Sequence, residues 1–594
     1  MALALFLLRK ALRIVRDNGF ASLARRTYSF CRRKGWRYLS TGFDLEQRYR
    51  LWLKRTKGYA SHPVPGELRY RPLISVVMPV CDPDPRWLAA AIESVLNQSY
   101  ENWELCIADD CSRRADVRHL LEECASSDER VKVAFLPSRR GISGATNAAV
   151  GLSRGEFVGF LDHDDVLAPH ALWAVARLLN EWPDLDMVYS DEDKIDPGGQ
   201  RSEPFFKPDL SPDLLMSTNY ITHFLVVRRA VLEDVGGLDP QFDGSQDYDL
   251  VLRIVERTRA VGHVADILYH WRRVPGSTSC DAGAKPYAFP AAMKALQAAA
   301  LRQGFPAEVT MIAPGRYRVA YAVKGTPKVS VIIPTRDKVE LLRRCIASLF
   351  ERTSYRPFEV IVVDNRTRDP EALRYLEELR EKKLVRVVPF DEEFNFSKLN
   401  NLAAKGADGD HIVFLNNDTE IVTGEWLEEL LGHSQRPRVG AVGCRLVFPD
   451  GRIQHGGIVF GPDGVITHAF YRLADTDPGY MGLATVVRNC AAVTAACMMI
   501  KRSLFEEVGG FDENLRVSYG DVDLCFRLLR AGYFNVWTPH ATLLHRESAT
   551  RGEYQPTEDV RYFREKWRSF LDAGDPFYNA NLEVVSGRYR LKLG

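Results

Sequence analysis

The chain repeats itself. Ser75-Val-Val-Met-Pro-Val-Cys-Asp82 is answered 255 residues later by Ser330-Val-Ile-Ile-Pro-Thr-Arg-Asp337, and Ile107-Ala-Asp-Asp110 by Val362-Val-Asp-Asn365 at the same offset. Phe160-Leu-Asp-His-Asp164 matches Phe414-Leu-Asn-Asn-Asp418 at 254. Gly236-Gly-Leu-Asp239 matches Gly509-Gly-Phe-Asp512 at 273. Asp247-Tyr-Asp-Leu250 matches Asp521-Val-Asp-Leu524 at 274, and His270 matches His545 at 275. Landmarks in one order at a near-constant offset mean duplication of a whole domain, not a short-period solenoid. The jump of about 19 places the extra length of the second copy between its acidic motif and its Gly-Gly motif. With 594 residues the chain exceeds what one core supports. The boundaries read as 1–70 (a basic amphipathic helical segment), 71–300 (first copy), 301–327 (connector), 328–556 (second copy) and 557–594 (a helical, aromatic-rich closing piece).

Within each copy, short β-branched runs alternate with helical stretches. Residues 74–78 and 329–333 are followed by helical patterns over 86–96 and 339–350. Runs at 104–108 and 359–363 come next, then another helix, and a third run (157–161, 411–415) leads into the acidic motif. This alternation implies an α/β fold with parallel strands joined by right-handed crossovers. Ligands bind such sheets at the carboxyl ends of the strands, which is where the singled-out aspartates fall.

Asp82 and Asp337 follow the first strand of each copy, and Asp109 and Asp364 the second. Carboxylates there can accept from a base N–H or a ribose hydroxyl, or can merely tie a turn. Amides at Asn147, Asn400 and Asn401 lie near the same face. Asp162-His-Asp-Asp165 crowds three carboxylates directly after an apolar strand. Like charges so close call for a cation between them, and Mg²⁺ or Mn²⁺ takes carboxylate and phosphate oxygens. The second copy keeps Asp418 and replaces the first acid with Asn416. Asp247 and Asp521 open helices, where an acid is either a cap or a general base. His270 and His545, after a final apolar run, could complete a metal site or be structural.

The first 57 residues carry fifteen Lys or Arg against three acids, with apolar residues at helical spacing. Such a segment can lie on an anionic membrane surface or form a solvated or docked arm; nucleic acid is not expected as a partner. The apolar opening is too short to span a bilayer. The eleven cysteines show no metal-type spacing and suit buried thiols in a reducing compartment, which fits the cytoplasm.

Pro79 and Pro334, Asp109 and Asp364, the acidic motifs, Gly-Gly-Leu/Phe-Asp and the Asp-x-Asp-Leu helix together resemble glycosyltransferase family 2. The resemblance implies two tandem domains of the GT-A, nucleotide-diphospho-sugar transferase fold, each with a Rossmann-like, mostly parallel sheet. It implies an inverting single displacement from a nucleotide-diphosphate sugar onto a glycan or lipid-linked glycan. Pro79, Asp82, Asp109, Pro334, Asp337 and Asp364 would line the nucleotide. Asp162, Asp164, His270, Asn416, Asp418 and His545 would hold Mg²⁺ or Mn²⁺, and Asp247 and Asp521 would be the bases. Tyr189-Ser-Asp-Glu-Asp-Lys194, Phe206-Lys-Pro-Asp209 and Gln454-His-Gly-Gly457 look like bacterial tandem enzymes of O-antigen and capsule synthesis, often rhamnosyltransferases, working at the inner face of the cell membrane. Gln246 and Gly520 stand where the family usually has Glu, and Asn416 replaces an acid. The alternative is therefore one catalytic domain and one degenerate glycan-binding or structural module.

Overall fold

The computed structural model describes residues 44–56, 68–274, 286–546 and 556–593. The membrane-attachment expectation concerns mainly residues 1–43, which lie outside that range. Among the described residues no helix is long and apolar enough to cross a membrane. Two compact units are present. In the small one, helix Leu45–Arg55 is closed by a capping box between Asp44 and Gln47, and Arg48 donates to the Leu591 carbonyl (2.9 Å). The large unit, 62–590, contains both repeats.

In the first repeat the strands are β1 (Ile74–Val80), β2 (Trp103–Asp109), β3 (Val131–Phe135), β4 (Phe157–Phe160), β5 (Val166–Leu167), β6 (Met187–Ile195), β7 (Arg201–Phe205), β8 (Val226–Arg228) and β9 (Val261–Arg272). They form one sheet in the order β3-β2-β1-β4-β8-β6-β9-β5, with β7 on β6. The first four are parallel; β8 runs antiparallel to β4 and β6, and β9 returns parallel to β6. After the hairpin β10 (Ala307–Ala313) and β11 (Arg316–Tyr321), the second repeat begins with β12 (Val329–Thr335), β13 (Phe358–Asp364), β14 (Arg386–Pro389), β15 (His411–Leu415) and β16 (Thr419–Ile421). It continues with β17 (Val439–Val447), β18 (Ile453–His455), β19 (Ile458–Phe460), β20 (Ile466–His468), β21 (Arg488–Cys490), β22 (Cys497–Lys501) and β23 (Phe534–His545). Its sheet order, β14-β13-β12-β15-β22-β17-β23-β16, reproduces the first. The added length of the second copy is built into β18 to β21.

β1 and β12 are apolar but for Ser75, Ser330 and Thr335 and almost wholly buried, as strands covered on both faces must be. The run expected to be third in each copy is in fact the fourth strand. β3 and β14 sit at sheet edges, largely half-exposed or exposed, and such short runs carry little signal. The described cysteines are all unpaired, and six of the nine are buried.

The repeats are locked together by polar groups. Asn489 on β21 accepts from Ser211 Oγ (3.0 Å) and the Asp213 amide (2.9 Å), and donates to Asp213 Oδ2 (2.7 Å). Arg436 makes a buried ion pair with the same Asp213 and lies over the Tyr321 ring. Burial works against the Asp213 carboxylate, but Arg436 and His433 hold its pKa below the ordinary value.

The chain's last stretch spans both repeats. Helices Thr557–Lys566 and Arg568–Ala573 set Phe563 and Trp567 against Phe526 of the second repeat. The chain then crosses to the first, where the Asp209 amide donates to the Pro576 carbonyl (2.8 Å). Beside this crossing Asp575 is buried. Burial pushes its pKa up to about 7, against the pull of the Phe577 and Phe460 amides and Arg488. A carboxyl whose folded pKa is raised contributes stability below its unfolded value, near 4, and loses it as pH rises through about 7. Melting temperature should therefore fall along that limb, and Asp575→Asn should flatten it; an unchanged slope in the variant would refute this assignment.

Candidate active site

Asp109 ends β2 and is 4% exposed. Its Oδ2 accepts from the Ser112 amide (3.2 Å), while Oδ1 is buried without a partner, an acceptor aimed at the strand ends. In the second repeat Asp364 accepts from the Thr367 amide (3.0 Å), and the adjacent Asn365 Oδ1 is the buried, unpartnered acceptor. Asp82 and Asp337 do something else. Each adopts positive φ (48° and 51°) and turns its carboxylate onto the loop after the second strand. Asp82 takes the Arg113 amide (2.6 Å); Asp337 takes those of Arg368 and Asp369 (2.7 and 2.9 Å). Those amides lower both pKa values. Pro79 offers its carbonyl to His163 Nδ1 (3.2 Å), tying β1 to the acidic loop. Beside Pro334, Thr335 Oγ1 accepts from Asn417 to the same effect (3.0 Å).

In the first repeat, ligand atoms of Asp162, Asp165 and His223 all lie within 4.8 Å of one another. Asp165 accepts from Tyr269 Oη (2.6 Å) and the Arg272 amide (2.7 Å). Burial, reinforced by Asp164 and Asp162, pushes the Asp165 carboxyl well up. Burial also raises Asp162; His223 opposes this, while Asp164 and Asp247 add to it. Acids that desolvate and repel one another in this way fit a divalent cation, which would relieve both penalties. The imidazole grouped with Asp162 and Asp165 is His223. His270 directs Nδ1 to Asp193, which also takes Arg201 Nε (2.6 Å). It lies inside β9, opposite Val166 of β5. Asp164, favoured by the motif spacing, is outside the three-residue group. His223 stacks on Tyr269 (4.3 Å, 10°). Burial disfavours its charge, yet Glu192, Asp165 and Asp162 raise its pKa to about 9.

In the second repeat Asn416, Asp418 and His545 meet. His545 Nε2 stands 3.1 Å from Asp418 Oδ1 and 3.3 Å from Asn416 Nδ2, and its Nδ1 meets Gln454 Oε1 at 2.7 Å. A backing acceptor of this kind orients a metal-binding imidazole.

Asp247 lies in the first turn of helix Gln246–Arg257, its Oδ2 accepting from Asn219 Nδ2 (2.8 Å). Asp521 opens Gly520–Arg530 and accepts from the Ala495 (3.1 Å) and Val522 (2.9 Å) amides. The second acid of each Asp-x-Asp is structural: Asp249 and Asp523 are fully buried and pair with Arg253 and Arg527 one turn on. Asn147 and Asn401 are structural too. Each brackets the backbone of the residue after a Gly-Gly pair, Leu238 or Phe511. A Cβ on Gly237 or Gly510, both at φ 67°, would lie 2.8 or 2.7 Å from the Asn oxygen. Gly237→Ala should thus cost roughly 1–3 kcal/mol, for the unfavourable backbone and the displaced Asn together. Chemical denaturation measures it, and a loss under 0.5 kcal/mol, as at an ordinary surface position, would contradict the reading.

A family model described as "Glycosyl transferase family 2" matches residues 75–236 and 330–509. The uncharacterized protein y4gI of Sinorhizobium fredii is 43% identical over 87% of this chain and 58% of its own length. The O-antigen biosynthesis protein RfbC of Myxococcus xanthus is 42% identical over 89% of this chain and 42% of its own length. The chain thus spans about half the length of these relatives. The crystal structure of S. aureus TarS 1–349 is similar over 38% of this chain and 65% of that one, at 18% identity and a TM-score of 0.32.

Proposed function

The chain belongs to glycosyl transferase family 2, and from that premise we propose that both of its repeats are sugar-transferring enzymes that extend a bacterial surface polysaccharide such as O-antigen or capsule. The observation that carries this is the recurrence, at the same strand ends of two sheets, of an acceptor at the second strand, a carboxylate–imidazole group after the fourth, and an aspartate opening the helix opposite.

Asp109 and Asp364, with Asn365, receive the nucleoside of the donor. A divalent cation, Mg²⁺ or Mn²⁺, would be held by Asp162, Asp165 and His223 in the first repeat and by Asp418 and His545 beside Asn416 in the second; it supplies positive charge that stabilises the departing diphosphate. Asp247 or Asp521 takes the proton from an acceptor hydroxyl as its oxygen attacks the anomeric carbon. The bond from that carbon to the diphosphate oxygen breaks, and its electron pair leaves with the nucleoside diphosphate, inverting the centre. Asn219 and the Ala495 amide hold the two bases in place. We further propose a hexose donor, rhamnose among the candidates, a lipid-linked acceptor, and a working position at the inner face of the cell membrane. Asn416 and Gly520 support a second reading in which only the first repeat is catalytic.

The test is a screen of nucleotide sugars with the purified chain. Turnover should require added Mn²⁺ or Mg²⁺ and fall by at least tenfold with excess chelator. A donor turned over equally well in chelator would remove the metal from the proposal.

A further inference from the structure

The residue that braces the first active site comes from the far end of the chain. Asn579 is buried, and its Nδ2 donates to Asp191 (3.0 and 2.9 Å to the two oxygens) and to the Lys207 carbonyl (2.8 Å). Asp191 Oδ1 also accepts from the Lys207 amide (2.8 Å) and faces His263 Nε2 (2.9 Å). The Lys207 backbone is therefore gripped on both sides by Asp191 and Asn579.

The Lys207 side chain is wholly buried, and its ammonium sits among four oxygens. They are Glu192 Oε2 (2.9 Å), the Ile221 carbonyl (2.7 Å), Thr222 Oγ1 (3.2 Å) and the His223 carbonyl (2.5 Å). Three of the four belong to one short stretch. That stretch begins with Asn219, which orients the base Asp247, and ends with His223, which meets Asp162 and Asp165. An ammonium so placed has no slack: moving its backbone by an ångström takes several of these contacts beyond hydrogen-bond reach. The second repeat solves the same problem differently, with the backbone amide of Ala495 on Asp521.

We propose that Asn579 is a positioning residue for the first active site, acting through Lys207 on Asn219 and His223, so that the first repeat works only when the chain's closing segment is docked on it. The proposal rests on the sugar-transfer reading of that site. Misplacing reacting groups by an ångström can cost about 100-fold in rate, and losing an outer-shell partner of a metal-binding imidazole about 10- to 100-fold.

The experiment uses the full chain carrying Asn579→Leu, in a background of Asp521→Asn and, separately, of Asp247→Asn. Amide hydrogen exchange over residues 219–224 should accelerate about tenfold or more, with residues 489–497 unchanged. In the Asp521→Asn background, kcat for the nucleotide sugar found in the screen should fall about 10- to 100-fold, with KM for the donor within about twofold. In the Asp247→Asn background turnover should be unaltered, which also shows that the variant folds. Unchanged exchange at 219–224, or equal losses in both backgrounds, overturns the proposal. A wild-type chain that turns over no nucleotide sugar sinks the enzyme reading instead, and the exchange result still decides the role of Asn579.

Discussion

Asp247→Asn should abolish sugar transfer at the first repeat, lowering its turnover by about 10²- to 10⁴-fold, while leaving the second repeat's product untouched. The substitution is nearly isosteric, and an asparagine oxygen still accepts from Asn219 Nδ2, so the fold is preserved and only the proton acceptor is lost. Asp521→Asn should do the same at the second repeat. There the carboxylate takes two backbone amides on its two oxygens, of which an amide side chain satisfies only one. About 1 kcal/mol of local stability should go with it. Products are separated by chromatography on acceptors of defined length. If Asp521→Asn matches the wild type on every acceptor, the second repeat is not an enzyme and the single-site reading stands.

The second large effect is expected between the repeats. Arg436→Met leaves the buried Asp213 carboxylate with Asn489 and His433 but without its guanidinium, and breaking such a pair from one side costs about 3–5 kcal/mol. Asp213→Asn on top of it should restore a large part, because a neutral amide still accepts from Asn489 and no unpaired charge remains. Denaturant unfolding of the two variants measures this. A double variant as unstable as Arg436→Met would mean that packing, not charge, holds the interface.

Much of this architecture is legible in the sequence because it is local. The apolar runs of β1, β2, β4 and their counterparts, the Gly-Gly turns and the helices opened by Asp247 and Asp521 each follow from a few adjacent residues. The repeat then assigns the same layout twice. What stays hidden depends on partners far away. Nothing near His223 distinguishes it from any loop histidine; it reaches Asp162 because Lys207 pins its carbonyl and Glu192 its ring. His270 has the more suggestive position, after an apolar run, yet its Nδ1 is taken by Asp193, a strand partner that no local spacing announces. Asp82 and Asp337 look like ligands from their place after a strand, but the amides that claim them lie about thirty residues on. Asn579 meets Asp191 from 388 residues away, a pairing no motif or spacing announces.

The way the tail crosses back over the molecule also imposes an order on biogenesis. Domains normally consolidate as they leave the ribosome, the earliest first. Here the interior network of the first repeat is closed by Asn579, which is made only after the whole of the second repeat, so the earlier half is completed late.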